Sequence, residues 1–160
     1  MSVQSSLHTM TSHTAGQARV PRAITALLIF ILSVSSARAD LRIVSSPGGE
    51  VSSYLQLFAS IRQSGERVII DGPCLSACTL VLSMVPEDRI CVTRRALLGF
   101  HAARRVDEQG QVFAAPGETR VLAATYPAPV RNWIERNGGL TEKPIFMRSR
   151  QLAELYPRCR

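Results

Sequence analysis

Val68-Ile-Ile-Asp-Gly-Pro-Cys-Leu-Ser-Ala-Cys-Thr79 passes from a β-branched run to a helix-like run through a Gly-Pro break. The run Val68 to Ile70 predicts a short strand buried on both faces, since no polar residue alternates with the apolar ones. Gly72-Pro73 predicts a turn, and Ala77 to Val85 is apolar enough for a buried helix. Ser76 then stands at a sharp turn just ahead of a helix N-terminus. Unpaired backbone N–H groups and the positive end of the helix dipole favour negative charge at such a place. A serine there is also an ordinary helix cap. Its meaning depends on what else the chain brings near it.

Upstream, Leu41 to Ser45 reads as a strand broken by Ser46-Pro-Gly-Gly49. A helix follows: Ser53 and Gln56 have capping-box spacing, and Tyr54, Leu57, Phe58 and Ile61 fall on one face. Gly65 predicts its end. Downstream, Ile90 to Thr93 and Ala96 to Phe100 read as two more strands, the second leading into His101. Strands alternating with helices predict an α/β fold with parallel pairing. Ligand sites in such folds lie at the carboxyl ends of strands. Gly48, Ser76 and His101 each fall just past one. Arg104 to Gly117 reads as a polar loop. Helices are expected over Glu118 to Tyr126, around Val130, Trp133 and Ile134, and from Ser149 onward.

The N-terminal stretch is read separately. Arg19 and Arg22 flank an apolar core, Ala23 to Val34, and Ala37-Arg38-Ala39 forms a small-x-small cleavage signature. This pattern predicts a secretory signal peptide over 1–39 and one domain over 40–160. The alternative is an uncleaved N-terminal anchor in the inner membrane, although the apolar core is short for a span. The formal charge of +7 falls by three when Arg19, Arg22 and Arg38 leave with the peptide. The remaining arginines are scattered and not interleaved with aromatics, which argues against nucleic acid as a partner. Cys74, Cys78, Cys91 and Cys159 all follow the leader, and an even count in an exported chain predicts disulfides. Three full pairings are open. A metal set of Cys74, Cys78 and His101 is the rival, without a CxxC pair or second histidine to support it.

From Ile43 to Ala103 the chain resembles the Clp protease proteolytic subunit, within the ClpP/crotonase superfamily, and is most similar to exported bacterial ClpP-like proteins. Ser46-Pro-Gly-Gly49 matches the family's oxyanion loop. Cys74-Leu-Ser76-Ala-Cys78 stands in the place of its nucleophile motif, and Leu98-Gly-Phe-His101 ends at its histidine. The stretch from Phe146-Met147 to Leu155-Tyr156 resembles its last helix. The resemblance implies an α/β spiral of ββα units with a short helical C-terminal part, the part that in the family mediates ring assembly.

It further implies Ser76 as nucleophile, His101 as general base, and backbone N–H groups of Gly48 and Ala77 as the oxyanion hole. The family's acid has no counterpart: the aligned position is Leu140, which cannot orient an imidazole. Glu142 and Asn137 are the substitutes ranked first, with Asp107 or Glu108 reaching in from the loop. The implied function is an exported, ATP-independent serine peptidase of the periplasm, or a secreted one, acting on a peptide or protein. It needs no metal or organic cofactor and no ATPase partner, and homo-oligomers are open. The alternative is an inactive ClpP-fold binding or assembly protein. A crotonase-type acyl-thioester enzyme is disfavoured, because coenzyme A esters are cytosolic.

Overall fold

The computed structural model describes residues 39–160. The expected signal peptide lies outside the described residues except for its last position. Among the described residues no helix is long and apolar enough to cross a membrane.

Hydrophobic patterning sets the first half. β1 (Leu41–Ile43) is followed by α1 (Val51–Ser64), β2 (Val68–Ile70), β3 (Pro73–Leu75), a 3-10 turn (Ser76–Leu80), the single-turn helix α2 (Val81–Met84), β4 (Ile90–Val92) and β5 (Leu97–Phe100). β1, β2 and β4 form one parallel sheet with β2 in the middle. That central place is why Val68 and Ile70 are fully buried. Helix α1 ends where expected, at Gly65 in the left-handed conformation (φ 76°). Its start differs from the reading. The helix begins at Val51 after Glu50, and both Ser52 and Ser53 hydroxyls donate to the Glu50 carboxylate, so no Ser53–Gln56 capping box forms.

Pro73 opens a strand and does not end a turn. β3 pairs in parallel with β5, which pairs antiparallel with β8 (Ile145–Arg148). A proline is tolerated at a strand's first residue because its missing N–H breaks no ladder there. The predicted buried helix is likewise split into the 3-10 turn and α2, all within the core from Ala77 to Leu82.

The second half is a hairpin and three helices. β6 (Arg104–Val106) and β7 (Val112–Ala114) pair antiparallel where a loop was expected. The Asp107 carboxylate closes their turn by accepting the N–H of Gln109 (3.0 Å) and of Gln111 (2.8 Å). Helices α3 (Pro116–Thr125), α4 (Ala128–Arg136) and α5 (Ser149–Leu155) then follow near the predicted positions. Phe100, Tyr126 and Trp133 pack ring against ring and tie β5 to α3 and α4. Burying one such side chain contributes roughly 1.5–3 kcal/mol.

All four cysteines pair, Cys74 with Cys78 and Cys91 with Cys159. Disulfides of this kind suggest an oxidising compartment. The second anchors the C-terminus beside β4, where Val92 also bonds to Pro157 and Cys159. It closes a sequence separation of 68 residues. By the chain-entropy argument that loop is worth about 4 kcal/mol. The double variant Cys91→Ala/Cys159→Ala is therefore expected to lose roughly that much stability in urea unfolding. A loss under about 1 kcal/mol would show an unfolded chain already compact at this contact.

Asp71, the first residue past β2, is buried. It accepts bonds from both arms of Arg95, from the Thr93 hydroxyl (2.7 Å) and from Arg42 (2.6 Å). The Arg95 guanidinium, then Thr93, hold its carboxyl well below the usual carboxylate range. The cluster ties β1 and the segment just past β4 to the end of β2, shortly before the Cys74–Cys78 turn.

Candidate functional site

β3 and β5 lie side by side in parallel, with Leu75 opposite Gly99. Ser76 is the first residue past β3, and His101 the first past β5. Parallel neighbours end at the same edge of a sheet, so the pairing carries the two residues to one place. Both line a cavity of about 220 Å³, with Gly49, Ala77 and Leu140 among the other walls.

Ser76 has φ 55° and is the one non-glycine residue among those described with positive φ. The left-handed conformation costs an L-residue about 1 kcal/mol. Such strain persists only where surrounding structure enforces it. Three features do so here. The Cys74–Cys78 disulfide brackets the turn. The Leu75 N–H is held by the Ser46 carbonyl at 2.9 Å. The Ser76 carbonyl accepts the Thr79 hydroxyl at 2.7 Å. Since the Thr79 proton is used there, Thr79 Oγ1 must accept from the Tyr126 hydroxyl at 2.6 Å. Burial pushes the Tyr126 phenol above its ordinary pKa, which keeps it a donor. The chain thus leaves β3 through an elbow whose backbone is fixed. Among the described residues Ser76 Oγ has no protein hydrogen-bond partner.

Gly48 (φ 84°) packs backbone against this elbow. A Cβ there would lie 2.5 Å from the Leu75 carbonyl oxygen and 2.6 Å from Ser76 Cβ. The Ala77 nitrogen is 3.0 Å from the same point, so the two expected oxyanion donors are neighbours. The Gly48 N–H donates to Ser46 Oγ at 3.4 Å, a long bond that an oxyanion would have to displace. Ser46 Oγ is in turn 2.7 Å from the Tyr54 hydroxyl.

His101 Nδ1 lies 2.6 Å from the Ala102 carbonyl oxygen. A carbonyl only accepts, so the neutral ring carries its proton on Nδ1 and leaves a lone pair on Nε2. That is the tautomer a general base needs. No hydrogen bond joins His101 to Ser76 among the described residues. In resting enzymes such bonds are often long and tighten when substrate binds.

The candidates for a third member lie elsewhere. The Asn137 amide donates to the Trp133 carbonyl at 2.8 Å and closes the end of α4. Glu142 is exposed and lines a separate cleft with Arg104, Phe113 and Lys143, its carbonyl accepting from Arg104 at 3.1 Å. Asp107 is occupied by the hairpin turn, where Glu108 also sits. Leu140 does line the cavity and brings no polar atom to it. Cys74 and Cys78 share a disulfide, so neither supplies a thiolate to a metal set with His101.

Thr79, Tyr126 and Thr119 carry the local hydrogen bonding and were not legible as site residues. Thr79 and Thr119 act on backbone and Tyr126 acts on the Thr79 hydroxyl, and a threonine or tyrosine in a helical stretch gives no sign of which group it meets.

No known family's sequence profile matches the chain, and no curated protein matches it. Among solved structures the chain is similar to a ClpP1 point mutant from Listeria monocytogenes, at 14% identity, covering 83% of this chain and 78% of that one, with a TM-score of 0.47. The likeness concerns the course of the chain and bears on no residue's chemistry.

Proposed function

We propose that the domain is an exported ClpP-like serine hydrolase that cleaves peptide bonds without ATP, on a spiral of ββα units. The observation that carries this reading is one of placement. Ser76, on a strained elbow, and His101, with Nε2 free of its proton, share one cavity at the ends of paired parallel strands. Ser76 Oγ attacks the substrate carbonyl while His101 Nε2 takes its proton. The oxyanion that forms is met by the N–H groups of Ala77 and of the Gly48 loop. The imidazolium then protonates the leaving amine, and a water activated by the same nitrogen hydrolyses the acyl-serine. Both disulfides support export to an oxidising compartment, in keeping with a cleaved leader. The substrate is a peptide or protein.

The second reading is an inactive binding or assembly protein of the same fold. It is favoured by Leu140 in the cavity wall and by the absent Ser76–His101 bond. Fluorophosphonate labelling of oxidised residues 40–160 separates the two. The hydrolase is expected to form a covalent adduct at Ser76. Folded, oxidised protein that forms none assigns the domain to the second reading.

A further inference from the structure

A general base without an acid still needs its ring held, or the lone pair on Nε2 points at random. The bonding around His101 contains such a hold, built from backbone. The acceptor of its Nδ1 proton is the carbonyl of the Ala102–Ala103 peptide. That peptide is planar, so fixing its N–H end fixes the direction of its carbonyl. Its N–H, on Ala103, donates to the Thr119 hydroxyl at 3.0 Å. The Thr119 hydroxyl spends its own proton on the Ala115 carbonyl at 2.8 Å, which leaves its oxygen free to accept. The Ala115 N–H closes the ring by donating to the Ala103 carbonyl at 3.1 Å. On the other side the Ala102 N–H is tied to the Thr141 carbonyl at 2.7 Å. Thr119 itself lines the cavity that holds Ser76 and His101.

We infer that Thr119 is the positioning residue of this site: its hydroxyl, through the Ala102–Ala103 peptide, orients His101 in the role an acid otherwise fills. A peptide whose N–H is donating is also a better acceptor at its carbonyl, because hydrogen bonds in a chain polarise one another. A neutral carbonyl supplies orientation and tautomer. It does not supply the charge that stabilises an imidazolium, so the resulting enzyme is slower than one with a carboxylate. The inference rests on the hydrolase reading for its role in catalysis, and on the bonding alone for its effect on the ring.

The test is Thr119→Val, which keeps the shape and removes the hydroxyl, beside Thr119→Ser, which restores it. Nitrogen-15 NMR of the His101 ring, recorded with the ring neutral, reads the tautomer directly. Wild type and Thr119→Ser are expected to hold the proton on Nδ1, and Thr119→Val to show a mixture with Nε2. The second-order rate of fluorophosphonate labelling is expected to fall about tenfold in Thr119→Val and to return in Thr119→Ser. Should Thr119→Val not fold, Thr119→Ala gives the same comparison. An unchanged tautomer in the hydroxyl-less variant, or a wild-type proton on Nε2, overturns the inference. Wild type that never labels sinks the hydrolase reading instead, and the tautomer result still decides whether Thr119 orients the ring.

Discussion

Ser76→Ala is expected to abolish covalent labelling and to lower any peptide hydrolysis by at least about a thousandfold, the loss seen when a serine nucleophile is removed. The same variant is expected to unfold at the wild-type urea midpoint. Ser76 Oγ has no protein partner among the described residues, so its removal leaves no buried group unsatisfied. Alanine carries a Cβ as serine does, so the left-handed elbow at φ 55° is equally strained in both. Ser76→Gly extends the test. It deletes the same hydroxyl and also relieves the elbow, a gain of about 1 kcal/mol. An inactive variant more stable than wild type is the signature of strain kept for function. If Ser76→Gly is instead less stable, the elbow is not strained and the conformation carries no functional meaning. If Ser76→Ala retains hydrolysis, Ser76 is not the nucleophile.

Much of this placement was legible in the residues, for reasons particular to each element. Val68-Ile-Ile reads as a strand because β2 is the middle of a parallel sheet: Val68 and Ile70 are fully buried on one face, while Ile69 on the other is only half-buried. The strand Leu97–Phe100 is nearly all apolar because β5 is the middle strand of its own mixed sheet, between β3 and β8, so its end at His101 is sharp. Gly65 stops α1 because only glycine takes that conformation freely. The hairpin Arg104–Val106 with Val112–Ala114 reads as a loop in the sequence because every residue of its two strands is exposed. Without a buried face there is no apolar alternation to see. β8 is short and joined directly to α5, so no turn residue separates the two. Cysteine pairing depends on which strand ends meet, and four cysteines alone leave every pairing open. The hold on His101 is less legible still. Its acceptor is a main-chain carbonyl that any residue at position 102 would supply, so no residue type marks it.

Gly48→Ala is the variant expected to separate the shape of the oxyanion loop from its stability. The added methyl would stand 2.5 Å from the Leu75 carbonyl oxygen and 2.6 Å from Ser76 Cβ, distances that real atoms do not adopt. Something must shift. The elbow is braced by the Cys74–Cys78 disulfide and by the Leu75–Ser46 bond, so the loop carrying Gly48 is the part that moves. Moving it withdraws one oxyanion donor, a loss of about a hundredfold to a thousandfold in rate. The left-handed residue adds about 1–2 kcal/mol of strain. Gly139→Ala is the control, since Gly139 has φ 74° but open space around its Cα. It is expected to lose a similar stability and none of the labelling rate. Equal labelling of Gly48→Ala and wild type would mean that the loop does not shape the site and that the Ala77 amide alone meets the oxyanion. Loss of labelling in Gly48→Ala with Gly139→Ala unaffected ties the loss to the contact with the elbow, because strain is common to both and only the contact differs.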